Sequence, residues 1–428
     1  MDVVQAHFSW FGVAFDHPAD WELVSAGTAG PWRAFFADRR FQRLEVRWRP
    51  AAFDPRFRQD VNKNLAETHG PAGTRLTGQP SPWEGLVARE DNGATVTHAG
   101  RWLPAESLLV EIMAVWPGRR DPAVENAILS SVRGQDRDGP RLAWEAMGMR
   151  AVGETAWTPA RFDSRAGDIA WDFVRRDGRR AKVGPTVRRL AMPAYWMRDG
   201  LEAWLARQPA VDARELSRTR VAVNGHDGLS LLTSRPARGW NRVRGRQALR
   251  RDTAWLCPVE GRVFHVRLEG VAAGGKLDLP GNLVMSCCRA PHFAGASVPA
   301  PAVVPVTGGL NSSQVLDAVP HVNGAAQLAR EGGETFVSVP RRRSWLHGWP
   351  WRALLPVAPV RRLRLDPLGT EVLGLCDGRR DTEVIVEQFA AAHRLSFREA
   401  LVPVTQYLHI LSGRGVVGLA GRPAKGAA

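Results

Sequence analysis

The chain has little cysteine: Cys257, Cys287, Cys288 and Cys376 are the four in 428 residues. That density excludes a disulfide framework, and their spacing matches no zinc knuckle, so they read as small buried hydrophobes. Lysine is as scarce, with only Lys63, Lys182, Lys276 and Lys425 among 58 basic residues. A net charge of +15 carried almost wholly by arginine fits a GC-rich genome as well as a nucleic-acid partner. No run of about eighteen apolar residues occurs, so no membrane-spanning helix is expected. The opening "MDVVQAHFSWFGVAF" has an acid at position 2 and no cationic start, unlike a secretory signal, and cytoplasmic residence is the expectation.

Catalytic signatures are missing too. There is no phosphate-binding glycine loop, dinucleotide fingerprint, HExxH or GxSxG pattern. The eleven histidines never fall within four residues of each other, so no helix offers a two-histidine metal face. "NGHDG" (224–228) sets His226 and Asp227 between two strand patterns, where a turn accounts for them. These absences point to a protein that is not an enzyme, with no catalytic residue, metal ligand or cofactor to nominate.

What is present is organisation. An apolar fraction of 44% supports packed domains, and the length suggests more than one. Residues 1–134 and 141–289 share an order of segments. "WRAFFADRRFQRLEVRW" (32–48), a helix pattern over Pro55–Thr68, "EGLVARE" (84–90), "RWLPAESLLVEIMAVW" (101–116) and "ENAILSSV" (125–132) form the first copy. The second runs "IAWDFVRRDGRRAKV" (169–183), "DGLEAWLARQ" (199–208), "DGLSLLTSR" (227–235), "AWLCPVEGRVFHVRLEG" (254–270) and "GNLVMSCC" (281–288). Strict alternation in "LLVEIMAVW" and "RVFHVRLEG" marks half-buried antiparallel strands. The expected fold class is therefore α+β: two tandem antiparallel-sheet α/β domains with few helices. The order, with "FGVAFDHPADWEL" (11–23) as opening strand and turn, resembles the PsbP-like α/β/α sandwiches. A polar joint, "RGQDRDGPR" (133–141), separates the copies, and a proline-bearing linker without acids spans 290–313.

Residues 314–420 form a third module. Two alternating runs about Gly332-Gly333 signal a hairpin, and "VRRLRLD" (360–366) supplies a third strand. Between them lies the insertion 341–359, "RRRSWLHGWPWRALLPVAP"; Arg341–Arg364 holds seven arginines and no acid. That insertion reads as a packed flap. Asp366 and Pro367 open a helix that stops at Asp377-Gly378; Asp381 or Thr382 caps the next, with Val384, Ile385, Phe389 and Ala392 inward. Ser396 and Glu399 form a capping box for a third helix. Three strands followed by three short helices suggest a winged-helix domain.

The stretch "LDPLGTEVLGLCDGRRDTEVIVEQFA…LSFREALVPVTQYLHILSGRGVVGL" resembles the coenzyme PQQ synthesis protein D (PqqD) family, similar to the peptide-recognition elements of ribosomal-peptide modification. The resemblance implies a non-enzymatic scaffold that holds a precursor peptide for a modifying enzyme, often a radical-SAM protein. It also implies a peptide groove with Arg361, Leu363 and Arg364 on the edge strand opposite Val404, Tyr407 and Leu408 on the third helix. Two features depart from the family: the insertion, and Pro403, which removes a helix hydrogen bond at a cost of about 3 kcal/mol. The alternative from another class is a winged-helix nucleic-acid-binding regulator, although Arg398 is the lone cation on the third helix before Arg414.

Overall fold

The computed structural model describes residues 5–288, apart from stretches within 53–92, 238–245 and 273–282 and positions 166, 178–179 and 211. It then describes 312–420, apart from 332–333 and 341–359. The chain divides into two units, Met1–Val303 and Val304–Ala428.

The first unit is built from three antiparallel sheets. Two hairpins, β1 (Gln5–Trp10) with β2 (Val13–Pro18) and β12 (Arg141–Ala146) with β13 (Met149–Glu154), each open one copy of the repeat. Each turns through two residues at positive φ, Phe11-Gly12 and Met147-Gly148, the geometry that matches strand twist in a two-residue hairpin. The hairpins join edge to edge where β1 pairs with β12, with Ser9 opposite Glu145. Short strands finish each side: β10 (Arg133–Gly134) lies on β2 and β21 (Val284–Ser286) on β13, while β11 (Arg137–Asp138) pairs with β12. The order β10-β2-β1-β12-β13-β21 is thus symmetric about its centre.

Each copy adds its own seven-stranded sheet. In the first, β3 (Glu22–Ala26), β4 (Trp32–Ala37), β5 (Gln42–Pro50), β6 (Thr74–Arg75), β7 (Glu84–Arg89), β8 (Thr95–Leu103) and β9 (Leu108–Trp116) take the order β3-β4-β5-β9-β8-β7-β6. In the second, β14 (Trp157–Arg165), β15 (Asp168–Asp177), β16 (Arg180–Leu190), β17 (Arg214–Val223), β18 (His226–Pro236), β19 (Gln247–Cys257) and β20 (Arg262–Ala272) repeat it as β14-β15-β16-β20-β19-β18-β17. Three helices accompany them: α1 (Pro122–Ser131), α2 (Pro193–Trp196) and α3 (Gly200–Ala206). Asp121 caps α1 through the amides of Ala123 and Val124, and Trp204 and Leu205 of α3 pack on Leu190, Leu231, Ala254 and Val263. Of the helix expected over 55–68, Gln59, Lys63, Ala66 and Glu67 are helical and the rest lies outside the described residues.

Alternation explains the core. On the central sheet Phe8, Trp10, Phe15 and Trp144 face inward, while His7 and Ser9 face away. Trp10 sits edge-on to Trp144 at 5.5 Å and to Trp171 at 5.1 Å; Phe8 meets Phe36 at 5.4 Å and Trp48 at 6.2 Å. One apolar cluster therefore runs through both copies. The joint 133–141 is structural rather than a free linker: Gln135 binds Gly12 N and Ala143 O, and Asp136 contacts His7 Nε2.

The second unit begins with α4 (Ser312–Asp317) and β22 (Val319–Val322). A three-stranded sheet follows, β23 (Gln327–Glu331), β24 (Glu334–Pro340) and β25 (Val360–Leu365), then α5 (Pro367–Leu375), α6 (Thr382–His393), α7 (Phe397–Gly413) and β26 (Val417–Ala420). The expected α+β class with a winged-helix end is overturned: among the described residues strand outweighs helix by 52% to 22%, in several antiparallel sheets. After α7 the described chain forms no wing hairpin; β26 instead returns to pair with β22. Long-range strand pairing, invisible to local periodicity, decided this. The inward side of α6 is also shifted, burying Ile385, Val386, Phe389 and Ala390.

Truncating Trp10 to Ala should cost about 3–5 kcal/mol, as for other buried aromatics, whereas Phe41→Ala, 47% exposed, should stay within about 0.5 kcal/mol. Urea unfolding of both variants checks this. Burial holds the imidazole of His17 down to about 4 from its ordinary 6.5, while its Nδ1–H donates to the Pro18 carbonyl. Below pH 6.5 the unfolded chain gains a proton that the folded one refuses, so stability falls as pH drops from 6.5 towards 4, by about 3 kcal/mol in total. The stability lost between pH 7 and pH 5 should be smaller in His17→Gln than in the parent.

Candidate functional site

Two places carry chemistry beyond packing. The first is the expected groove of the second unit. On β25 Leu363 is buried, while Arg362 and Arg364 on the opposite face, and Arg361 nearer the strand's start on its own face, are exposed. Leu363 pairs with Val337, and α5 packs on this sheet. Arg362 reaches Glu331 at 2.5 Å and lies over the Phe336 ring at 4.2 Å; Arg364 reaches Glu334 at 2.7 Å. Among the described residues β25 pairs with β24 alone, so its outer side is a sheet edge.

The helix side differs from the expected second wall. Val404 and Leu408 are fully buried against the other helices. Tyr407 is half-buried, and its hydroxyl donates to Asp366, whose other carboxylate oxygen accepts the Gly369 amide at 2.7 Å. Its ring lies against Gly369, where an added Cβ would stand 3.0 Å from the ring. The structure thus joins Tyr407 to the start of α5 and brings neither Val404 nor Leu408 to the surface. α7 continues through Pro403, which has no amide N–H to add to the helix ladder.

The capping residues stand as follows. Asp366 and Asp381 cap α5 and α6, and Ser396 with Glu399 forms the reciprocal box at α7. Asp377 accepts the amides of Arg379 and Arg380, hydrogen bonds that hold its carboxyl below the usual range. Gly378 takes φ 75°, and its amide donates to the Pro320 carbonyl. Cys376 is buried, and burial pushes its thiol up to about 12.

The second place was not nominated from sequence. Cys257, Cys287, Cys288 and His226 bring their ligand atoms within 4.8 Å of one another at one end of the second seven-stranded sheet. Of "NGHDG", only Asn224 and Gly225, both at positive φ, form the turn from β17 to β18, and His226 and Asp227 are the first residues of β18. Register does the rest. Gly228 pairs with Trp255, so two residues further along His226 comes level with Cys257 at the end of β19. β21, paired to β13, carries Cys287 and Cys288 to the same corner. His226 Nε2 lies 2.9 Å from the Cys288 sulfur, and the sulfurs of Cys257 and Cys288 are 2.8 Å apart. The Cys287 sulfur accepts Trp255 Nε1 at 3.2 Å and Asn224 Nδ2 at 3.6 Å, and the Cys257 sulfur accepts the Glu260 amide at 3.4 Å. Burial raises the thiols of Cys287 and Cys288 above their ordinary value.

Elsewhere, Asp252 is fully buried with Arg250 at 2.6 Å and His265 at 2.8 Å. Burial drives the imidazole of His265 down, and the two partners hold Asp252 ionised against its own desolvation. The first copy has its own buried acid: Glu125 with Arg120 and Thr97. Such groups read as paired core charges. A 190 Å3 cleft beside Trp32 and Trp48 is smaller than the ~300–1,000 Å3 of ordinary ligand sites. Among the described residues no helix is long and apolar enough to cross a membrane.

No protein-family model and no curated protein matches the chain. Among solved structures, the apo immunity protein TplEi of the T6SS from Pseudomonas aeruginosa is similar at a TM-score of 0.30 and 10% identity, covering 68% of this chain and 91% of that one. A chain of the Tle4–Tli4 complex follows at 0.28 and 10%, covering 65% and 91%. At these scores neither likeness bears on what this protein does.

Tyr407→Phe removes a hydrogen bond to a carboxylate, worth about 1.5–3 kcal/mol. Faster hydrogen exchange at the Gly369 amide is the expected readout; unchanged exchange would return Tyr407 to a surface role.

Proposed function

We propose that the protein is a non-enzymatic scaffold whose C-terminal unit holds an extended, acidic segment of a partner protein along the free side of β25. The observation that carries this is the edge itself: six residues in strand conformation, open on one side among the described residues, with Arg361, Arg362 and Arg364 exposed beside it. A peptide laid there gains main-chain hydrogen bonds, and the guanidinium groups select carboxylates. The ion pairs that Arg362 and Arg364 make with Glu331 and Glu334 are solvent-exposed, and such pairs are worth about 0–1 kcal/mol, so an incoming carboxylate can displace them. The resemblance to PqqD narrows the partner to a precursor peptide and the enzyme that modifies it, a radical-SAM protein in many such systems. Arg361, Leu363 and Arg364 remain on the binding strand in this reading. Val404 and Leu408 lie in the packing between helices, and Tyr407 reaches Asp366 just beyond the strand.

The test uses the full chain and a labelled peptide of alternating Glu and Val, followed by fluorescence anisotropy. Binding should weaken about tenfold or more in Arg361→Glu/Arg364→Glu, and again with added salt. A Gln-for-Glu peptide should bind as poorly as the variant binds the acidic one. Equal affinity of parent and variant, or no saturation at high micromolar concentration with folded protein, would overturn the proposal.

A further inference from the structure

The geometry points to a metal centre: we propose that Cys257, Cys287, Cys288 and His226 form a four-ligand site for a zinc-class dication, stapling the end of the second repeat. Three thiolates and one imidazole are the donor set of closed tetrahedral structural zinc sites. They come from three separate segments, and all four ligand atoms fall within 4.8 Å.

The backbone is bent to make this possible. Side chains of adjacent residues in a strand point to opposite faces, so Cys287 and Cys288 could not meet at one point from a regular strand. Cys288 instead adopts φ 53°, a left-handed conformation that non-glycine residues avoid, and this turns its sulfur towards Cys257 and His226. The Cys288 amide is then taken by Glu260 Oε1 at 2.8 Å.

The surroundings suit thiolates. Trp255, Asn224 and the Glu260 amide all direct N–H groups at sulfur. Such outer partners orient ligands and disperse their charge. Each thiol loses its proton to solvent as it binds, and the dication supplies the charge that makes this favourable in a partly buried corner.

The internal repeat gives an independent comparison. "LPAES" (103–107) in the first copy occupies the hairpin position of "CPVEG" (257–261) in the second, each joining paired strands through four residues. The matching ladders, β10 on β2 and β21 on β13, place Gly134 and Gln135 of the first copy where Cys287 and Cys288 stand in the second. Leu103, at the position of Cys257, is a buried member of the core. The first copy therefore closes this corner without sulfur, and the second sets converging donors there.

A disulfide is the competing chemistry. It would employ Cys257 and Cys288, but a bonded pair lies near ~2.04 Å and leaves Cys287 and His226 with no part. Two sulfurs on one tetrahedral zinc, each at ~2.3 Å, stand ~3.8 Å apart, within the spread of this cluster.

Cobalt(II) titration of the reduced full-length protein tests the site. One equivalent should produce sulfur-to-cobalt charge transfer in the near ultraviolet and intense tetrahedral ligand-field bands, and zinc should abolish both. Cys257→Ser and His226→Ala should each weaken binding by about tenfold or more, while Cys376→Ser leaves it unchanged. The parent titration stands even if a variant fails to fold. The proposal is overturned if folded, reduced protein shows no charge-transfer band, or if the band survives in folded Cys257→Ser. It is equally overturned if mass spectrometry finds Cys257 and Cys288 linked in the protein as purified and reduction confers no cobalt binding.

Discussion

The first unit depends on the burial of one sheet face shared by two copies of the same motif. The ladder between β1 and β12 is short, and a short ladder has little stability of its own. Its inner face, however, carries Trp10 and Trp144 side by side, with Trp171 from the second copy and Phe8, Phe36 and Trp48 from the first packed around them. Each edge-to-face pair contributes about 0.5–1.5 kcal/mol beyond its buried area, and the area itself contributes more. Neither copy presents that cluster alone. The hairpin turns at Phe11-Gly12 and Met147-Gly148 follow from it, since a two-residue turn keeps the aromatic positions in register on both sides.

Duplication with divergence accounts for the rest of that unit. Both seven-stranded sheets keep the same strand order, whereas the buried carboxylates paired with arginine lie at different places, Glu125 on α1 with Arg120 and Asp252 on β19 with Arg250. What differs lies at the hairpin ends: the second copy carries Cys257, Cys287 and Cys288 where the first has Leu103, Gly134 and Gln135.

In the second unit the caps and strand alternation were legible, while the inward face of α6 was displaced by one position. The caps at Asp366, Asp381 and Ser396, the glycine stop at Gly378 and the strand alternation ending in Leu363 occupy the positions their residue types require. Features that depend on distant chain are not written in local pattern. Three strands followed by three helices suggest a winged helix, but β26 pairs with β22 across about a hundred residues, and no local pattern announces a pairing over that separation. Tyr407 suffered the same fate: its spacing put it on a helix face, and only packing showed that the face meets the Asp366 cap.

The sequence by itself determined the alternating segments, their repeated order, the helix caps and the charge of the β25 edge, because each acts through neighbours within a few residues. Tertiary structure alone decided that two copies share one sheet and one aromatic core, and that Val404 and Leu408 are buried. It alone gathered His226, Cys257, Cys287 and Cys288 into one corner. Those four lie up to 62 residues apart, and no spacing rule connects them. The register of β18 on β19, the pairing of β21 with β13 and one left-handed residue bring them together, and each is a consequence of the finished fold.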